Sequence, residues 1–355
     1  MADDNTSMVS RVPLNGKSVT VWEAIKKAIQ ENEHFLLCTH RFPDADGVGA
    51  ELGLFQALET MGKKPVILNP DSLPHILQFM DPDKRIVGFD CLPGDKAVEM
   101  LNRAQVIFML DAGFWGRLAE LGAEVHARDE KLLVIDHHPV ESSSPPPGSV
   151  INDRASSTGE MIYELLSELE HPIDDRIAFC LYCAIIKDTG CFRFENTNAK
   201  VLGIASRLAG FDIVPCEIYD LLFERNSISS VHCLAETLST LRLSYNNRLA
   251  SIHLSQELLE RTGTDIEETE VFINIIRSID AVEACLYFRE VPGNKVRISL
   301  RSKTSRIDVR KLAGEFGGGG HKRASGAMVS GSLKEVEDKV VATAAMYFDG
   351  GERGK

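Results

Sequence analysis

Three short apolar runs in the amino-terminal half end on an acid or a histidine, and this pattern restricts the fold more than any other feature of the chain. They are His34-Phe-Leu-Leu-Cys-Thr-His40, Val106 to Leu110 before Asp111, and Leu132 to Ile135 before Asp136-His137-His138. Each is strand-length. A fourth apolar run, Pro65 to Leu68, and helix-like segments such as Asp46 to Met61, ending at Gly62, are interleaved with them. Strands alternating with helices predict an α/β fold, a parallel sheet flanked by helices on both faces. In an open sheet of this kind the carboxyl ends of the strands line the ligand crevice, so the acids and histidines there should converge on one site.

The remaining punctuation extends this reading. Thr20 and Glu23 have capping-box spacing ahead of a helix to about Glu31. The proline-rich stretch Ser142 to Gly148 reads as a loop, Ser156-Ser157-Thr158 precedes a helix starting near Glu160, and another helix runs from about Asp174 to Lys187, just before Asp188-Thr189-Gly190. A chain of 355 residues exceeds one ordinary core. We expect a first domain over residues 1–226, a helical linker over 227–245, and a smaller α/β domain over 246–355. In the last, the turn Pro292-Gly293-Asn294 precedes alternation of Val296, Ile298 and Leu300 with Arg297, Ser299 and Arg301. That is a hairpin with one polar face. A glycine run, Gly317 to Gly320, and a capped helix from Ser332 follow.

A net charge of -13 argues against gripping long nucleic acid, which requires an uncompensated basic track. No apolar run is long enough to span a bilayer, and Asp3 and Asp4 stand where a secretory peptide would carry positive charge. No membrane association and a cytoplasmic location are expected. The eight cysteines form no framework, and Cys180 and Cys183, although spaced C-x-x-C, lie in an apolar run and read as core.

The segment His40-Arg-Phe-Pro-Asp44-Ala-Asp46 places an imidazole and two carboxylates on one turn past a strand. Mixed oxygen and imidazole ligands suit Mn²⁺ in particular, with Mg²⁺, Co²⁺ or Zn²⁺ as alternatives, while the same two acids would also serve to cap the following helix. Asp111 alone reads equally as a turn former. Asp136-His137-His138 is harder to explain structurally, because every ring nitrogen needs a partner; a metal supplies one, and a neighbouring aspartate can fix a tautomer. Asp188 after an apolar helix would be a costly isolated charge. The four carboxylates Asp44, Asp46, Asp111 and Asp188 carry a charge that two divalent ions would neutralise. A metal pair suits in-line hydrolysis of a phosphate ester.

In this ordered set the sequence resembles the DHH phosphoesterase superfamily, named for the motif seen here as Asp136-His137-His138. The elements that match are His40/Asp44/Asp46, Asp111, Asp136-His137-His138, Ser156 to Glu160, and Asp188-Thr189-Gly190; the stretch from Gly317 to Ala327 resembles the signature of the associated substrate-binding domain. The resemblance implies that His40, Asp44 and Asp111 hold one metal and that Asp46, Asp111, His137 and Asp188 hold the other. It further implies that Asp136 orients the site and His138 faces the scissile phosphate. Gly47-Val48-Gly49-Ala50 departs from the many relatives with a serine near this helix start. In the second domain, backbone N–H groups of Gly318, Gly319 and Gly320, with His321 and Arg323, are candidates to bind phosphate, and Arg301 to contact a phosphate or a base.

The two-domain size is most similar to the compact oligoribonucleases of the superfamily. These degrade short single-stranded RNA to mononucleotides and often convert 3′-phosphoadenosine 5′-phosphate to AMP. Cyclic dinucleotide phosphodiesterases are the alternative. A third reading, a nucleotide-binding regulator without turnover, is weakened by the presence of every expected ligand. A homodimer is admitted, but nothing in the sequence selects it.

Overall fold

The apolar runs become strands of a single parallel sheet. In the computed structural model, which describes residues 21–139, 145–304 and 306–348, the first unit extends to Arg225. Its strands are β1 (His34–Cys38), β2 (Lys64–Asn69), β3 (Ile86–Gly88), β4 (Val106–Leu110), β5 (Leu132–Asp136) and β6 (Val150–Ile151). They lie in the order β3-β2-β1-β4-β5-β6, each neighbouring pair parallel. The order reverses between β1 and β4. That reversal opens a crevice at the carboxyl ends of these two strands, the place where open α/β sheets bind ligands.

Among the described residues, eight helices cover the sheet: α1 (Glu23–Glu31), α2 (Ala45–Thr60), α3 (Gly94–Arg103), α4 (Leu121–His126), α5 (Thr158–Glu168), α6 (Asp175–Asp188), α7 (Ala199–Leu208) and α8 (Pro215–Phe223). Phe35 and Leu37 of β1 pack with α1, α2 and α5 to α8, whereas Leu36 and Cys38 pack on the other face with α3 and α4. Both sides of the strand are therefore dry, which is why these runs are continuously apolar. Thr20, expected to cap α1, lies outside the described residues, as do residues 142–144 of the proline loop.

Helix α2 approaches its neighbours unusually closely. A Cβ on Gly47 would sit 2.4 Å from Thr39 Oγ1, and one on Gly49 would sit 2.4 Å from the Cys180 carbonyl oxygen in α6. Glycine at these two positions thus has a packing reason. Cys180 and Cys183 are fully buried in that contact, and burial pushes the Cys180 thiol up to about 12, the behaviour of core residues.

The second unit begins at Asn226. It comprises α9 (Ile228–Ser239), β7 (Arg242–Ser244), β8 (Leu249–Leu254), α10 (Gln256–Thr262), α11 (Phe272–Arg277), β9 (Ala284–Val291), β10 (Lys295–Ser302), α12 (Val309–Gly314), β11 (Gly319–His321), β12 (Ala324–Ser330) and α13 (Leu333–Phe348). The segment 227–245, expected as a linker, instead belongs to this unit. Cys233 of α9 is fully buried with Ile252, Phe272 and Tyr287, and β7 is the edge strand of a sheet ordered β11-β12-β10-β9-β8-β7. Among the described residues only β8 and β9 pair in parallel.

The predicted hairpin is β9 and β10, joined through Gly293 and Asn294 at φ 86° and 54°. Val296, Ile298 and Leu300 are buried against α12 and α13. Ser332 caps α13 reciprocally: its N–H donates to Glu335 Oε2 at 3.1 Å, and its Oγ accepts from Glu335 N at 3.4 Å.

Candidate metal centre

Each strand entering the crevice delivers its polar residue by local geometry. After β1 the chain turns through His40 to Asp44, whose Oδ1 accepts the N–H groups of Asp46 at 2.9 Å and Gly47 at 3.4 Å. Asp44 therefore caps α2 and still faces the crevice. After β4, Asp111 adopts φ +54°, a left-handed conformation that non-glycine residues rarely hold except where the surroundings enforce it. Its N–H donates to the Ile135 carbonyl at 3.1 Å. Asp136 ends β5 and is followed by His137 and His138, and Asp188 is the last residue of α6.

Asp46 is fully buried at the start of α5, accepting from Thr158 N at 2.8 Å and Gly159 N at 2.9 Å. A helix N-terminus favours an anion there. Thr158 Oγ1 also donates to Asp111 Oδ1 at 3.1 Å.

All eight polar residues named in the first unit come together. His40, Asp44 and Asp111 offer donor atoms within 4.8 Å of one another, and so do Asp46, His137 and Asp188. The two groups touch through Asp111. Its Oδ2 is 3.3 Å from His40 Nε2 and its Oδ1 is 3.5 Å from His137 Nε2, while His137 Nε2 is 3.0 Å from Asp188 Oδ2. His40 Nδ1 lies 2.8 Å from the Arg41 carbonyl, which assigns a proton to Nδ1 and leaves Nε2 facing Asp111. Asp136, fully buried, directs Oδ1 at both the N–H (3.0 Å) and the Nδ1 (2.8 Å) of His138. It orients a histidine by holding the Nδ1 edge of its ring.

The electrostatics of this cluster call for added positive charge. Burial and the charges of Asp188 and Asp111 push the Asp46 carboxyl well above the carboxylate range. Burial opposes protonation of the imidazoles, yet hydrogen bonds to Asp111 and Asp188 raise His137 well above its ordinary value, and those to Asp111 and Asp136 raise His138 to about 9. Asp111, despite burial, is held well below its usual range by the three histidines. Acids crowded this closely draw protons onto their neighbours. Divalent cations would relieve the same imbalance, and the donor set of carboxylate oxygens and imidazole nitrogens fits them.

Three contributors were not read from the sequence. Asn69 Oδ1 accepts from Thr39 N at 3.0 Å while its Nδ2 donates to the fully buried Glu51 at 2.9 Å, fixing the end of β1. Arg117 is close enough for its charge to oppose protonation of His40, and its carbonyl accepts the Arg41 N–H at 2.8 Å. A lone Glu, Asn or Arg carries no spacing signal.

In the second unit, Arg301 of β10 pairs with Ala324, and His321 of β11 pairs with the same Ala324, so both side chains emerge on one face of the sheet. Burial and the neighbouring Arg277 and Arg297 lower the pKa of Arg301. The glycine run is not a free loop. Gly318 N donates to the Ala313 carbonyl at 2.9 Å, and Gly319 and Gly320 enter the edge strand β11. A Cβ on Gly318 would lie 2.1 Å from the Gly326 carbonyl oxygen, so close strand packing requires glycine here. Arg323 precedes β12, and its carbonyl accepts from Ser302 N at 2.9 Å.

A crevice of carboxylates and imidazoles at the switch point of a parallel sheet defines a metal-dependent phosphoesterase. The chain belongs to the DHH phosphoesterase superfamily: the DHH family N-terminal domain matches residues 34–185 and the DHHA1 domain matches residues 253–349. It is similar to the bifunctional oligoribonuclease and PAP phosphatase NrnA of Thermus thermophilus, at 28% identity over 309 residues, 86% of this chain and 87% of that protein. The protein of the same name from Bacillus subtilis is 28% identical over 309 residues, 85% of this chain and 91% of that one. Among solved structures, an exopolyphosphatase-related protein from Bacteroides fragilis has a TM-score of 0.86 at 26% identity, covering 93% of this chain and 97% of that chain.

Proposed function

We propose that this protein is a cytoplasmic two-metal phosphoesterase that hydrolyses short oligoribonucleotides to mononucleotides and 3′-phosphoadenosine 5′-phosphate to AMP, with Mn²⁺ as its ion. The observation that carries this reading is the double role of Asp111, which touches both donor groups. His40, Asp44 and Asp111 would hold one ion, and Asp46, Asp111, His137 and Asp188 the other. When bound, such a pair would polarise a phosphoryl oxygen and lower the pKa of an attacking water. His138, gripped by Asp136 through Nδ1, would direct Nε2–H to a phosphoryl oxygen and balance the charge developing there. Arg301, His321, Arg323 and the backbone of Gly319 and Gly320 would bind substrate phosphate or base, whereas Gly318, expected to share in this, already gives its N–H to the Ala313 carbonyl. The activities carried in the names of the two NrnA relatives support the substrate class.

Short substrates follow from charge. With a net charge of -13 the surface offers little to nucleotides beyond the site. The test compares kcat/KM for linear RNAs of about two, five and twenty-four nucleotides at matched salt, with 3′-phosphoadenosine 5′-phosphate and cyclic di-AMP alongside and Mn²⁺ present. Efficiency should be highest on the short RNAs. Equal or greater efficiency on the longest RNA would refute this reading, and a clear preference for cyclic di-AMP would replace it with a cyclic dinucleotide phosphodiesterase.

A further inference from the structure

Between His40 and Asp44, the loop carries an aromatic side chain that contributes nothing to the core. Phe42 is 59% exposed and holds φ at +53°, a region unfavourable for a residue with a Cβ. An isolated exposed phenylalanine needs no explanation. This one is held in place. Its N–H donates to Asp71 Oδ2 at 3.0 Å, and the other carboxylate oxygen, Oδ1, lies 3.4 Å from Arg41 Nε. The Arg41 guanidinium in turn sits 4.7 Å from the centre of the Phe42 ring. One acid from the loop after β2 thus fixes both the strained backbone and a cation stacked on the ring.

Phe42 is two residues from each of two metal-ligand candidates, so its Cα lies no more than about 7.6 Å from theirs. A base on the sugar beside a phosphate held at those ligands would come within reach of the ring. We propose that Phe42, backed by Arg41, is a stacking platform for the nucleobase flanking the scissile phosphate, a specificity-determining residue of this site. The inference rests on the proposed function for its substrate class. An aromatic face with a guanidinium behind it binds any base, because every base has a π-face, and gives nothing to a phosphate ester without one. The device would favour nucleotides over other phosphate esters while leaving base identity unread.

The test uses the full chain loaded with Mn²⁺, as wild type, Phe42→Ala and Phe42→Trp. The substrates are an RNA dinucleotide and two analogues, each lacking one base. Phe42→Ala should lower kcat/KM on the intact dinucleotide by about 5- to 150-fold, mostly through KM, and Phe42→Trp should restore it. On one of the two abasic analogues the loss should shrink to about twofold or less, with Mn²⁺ content equal in all three proteins. Equal loss on all three substrates, or no loss on any, would overturn the proposal while leaving the oligoribonuclease reading intact. Failure of the wild type to cleave the dinucleotide at all would overturn both.

Discussion

Replacing Thr158 by valine removes one hydroxyl and almost nothing else. The branched Cβ is kept, and so is the N–H that donates to Asp46 at 2.8 Å. What is lost is the bond from Oγ1 to Asp111 Oδ1, 3.1 Å long and fully buried. A hydrogen bond to a charged group contributes about 1.5–3 kcal/mol. For the fold the lower end applies, since the same oxygen keeps His138 Nδ1 at 3.4 Å and His137 Nε2 at 3.5 Å. For metal binding the full range applies, because this hydroxyl aims the one carboxylate that both donor groups share. At 1.4 kcal/mol per tenfold, that range corresponds to about 10- to 150-fold. An independent route gives a similar figure, as loss of an outer partner of a ligand typically costs about 10–100-fold in affinity or activity. Calorimetric Mn²⁺ titration of metal-stripped protein, with dinucleotide turnover followed against Mn²⁺, should show binding weakened by that factor and turnover recovering at high Mn²⁺. Thr158→Ser should behave like wild type. Affinity for Mn²⁺ within about twofold of wild type in the valine variant, or equal damage from serine, would show that the hydroxyl does not orient a ligand.

Two further outcomes follow. Asp188→Asn deletes charge from a proposed ligand without deleting volume, so turnover should fall to a small residue of the wild-type rate while the circular dichroism spectrum is unchanged; wild-type turnover would refute the ligand assignment. In the second unit, burial would raise the Glu337 carboxyl, but His253 Nδ1 at 3.1 Å, the charge of Arg242 and Ser251 Oγ at 3.2 Å hold it below its ordinary value of 4.5. A depressed carboxylate adds stability that is complete above the unfolded value and is lost as pH falls through the folded one. Thermal melts across that acid window should therefore decline more steeply for wild type than for Glu337→Gln, and parallel declines would contradict the pairing.

The order of the strands and of the polar residues that end them was legible because two independent signals coincide in it. A strand buried on both faces must be apolar throughout, so an acid or histidine at its carboxyl end stands out, as Asp111 does after Val106–Leu110. By contrast, β3 is Ile86-Val87-Gly88 and β6 only Val150-Ile151, lengths at which an apolar run means nothing by itself. Without them the sheet's middle was readable and its edges were not. The linker failed for a related reason. Residues 228–239 have helical spacing with few large apolar positions, and that pattern does not reveal that Cys233 is buried beneath a sheet whose strands lie farther along the chain.

Around the candidate metal centre, what escaped the sequence is what long-range contact creates. Glu51 sits within α2 like any helical glutamate, and only the fold brings Asn69 to within 2.9 Å of it and Thr39 beyond. Its burial pushes the carboxyl well above the usual range, favouring a neutral acid under the end of β1. A neutral side chain there has a functional logic, because an ionised Glu51 would add a further negative charge beside a crevice already crowded with carboxylates. Asp111 follows the same reasoning from the other side. Its φ of +54° is unfavourable in isolation, yet it is the residue that three imidazoles and Thr158 converge upon. Strain of this kind persists where the surroundings over-determine a conformation. The sequence contains the aspartate but not the forces that twist it, since those come from β5, α5 and the loop after β1, each folded separately around it.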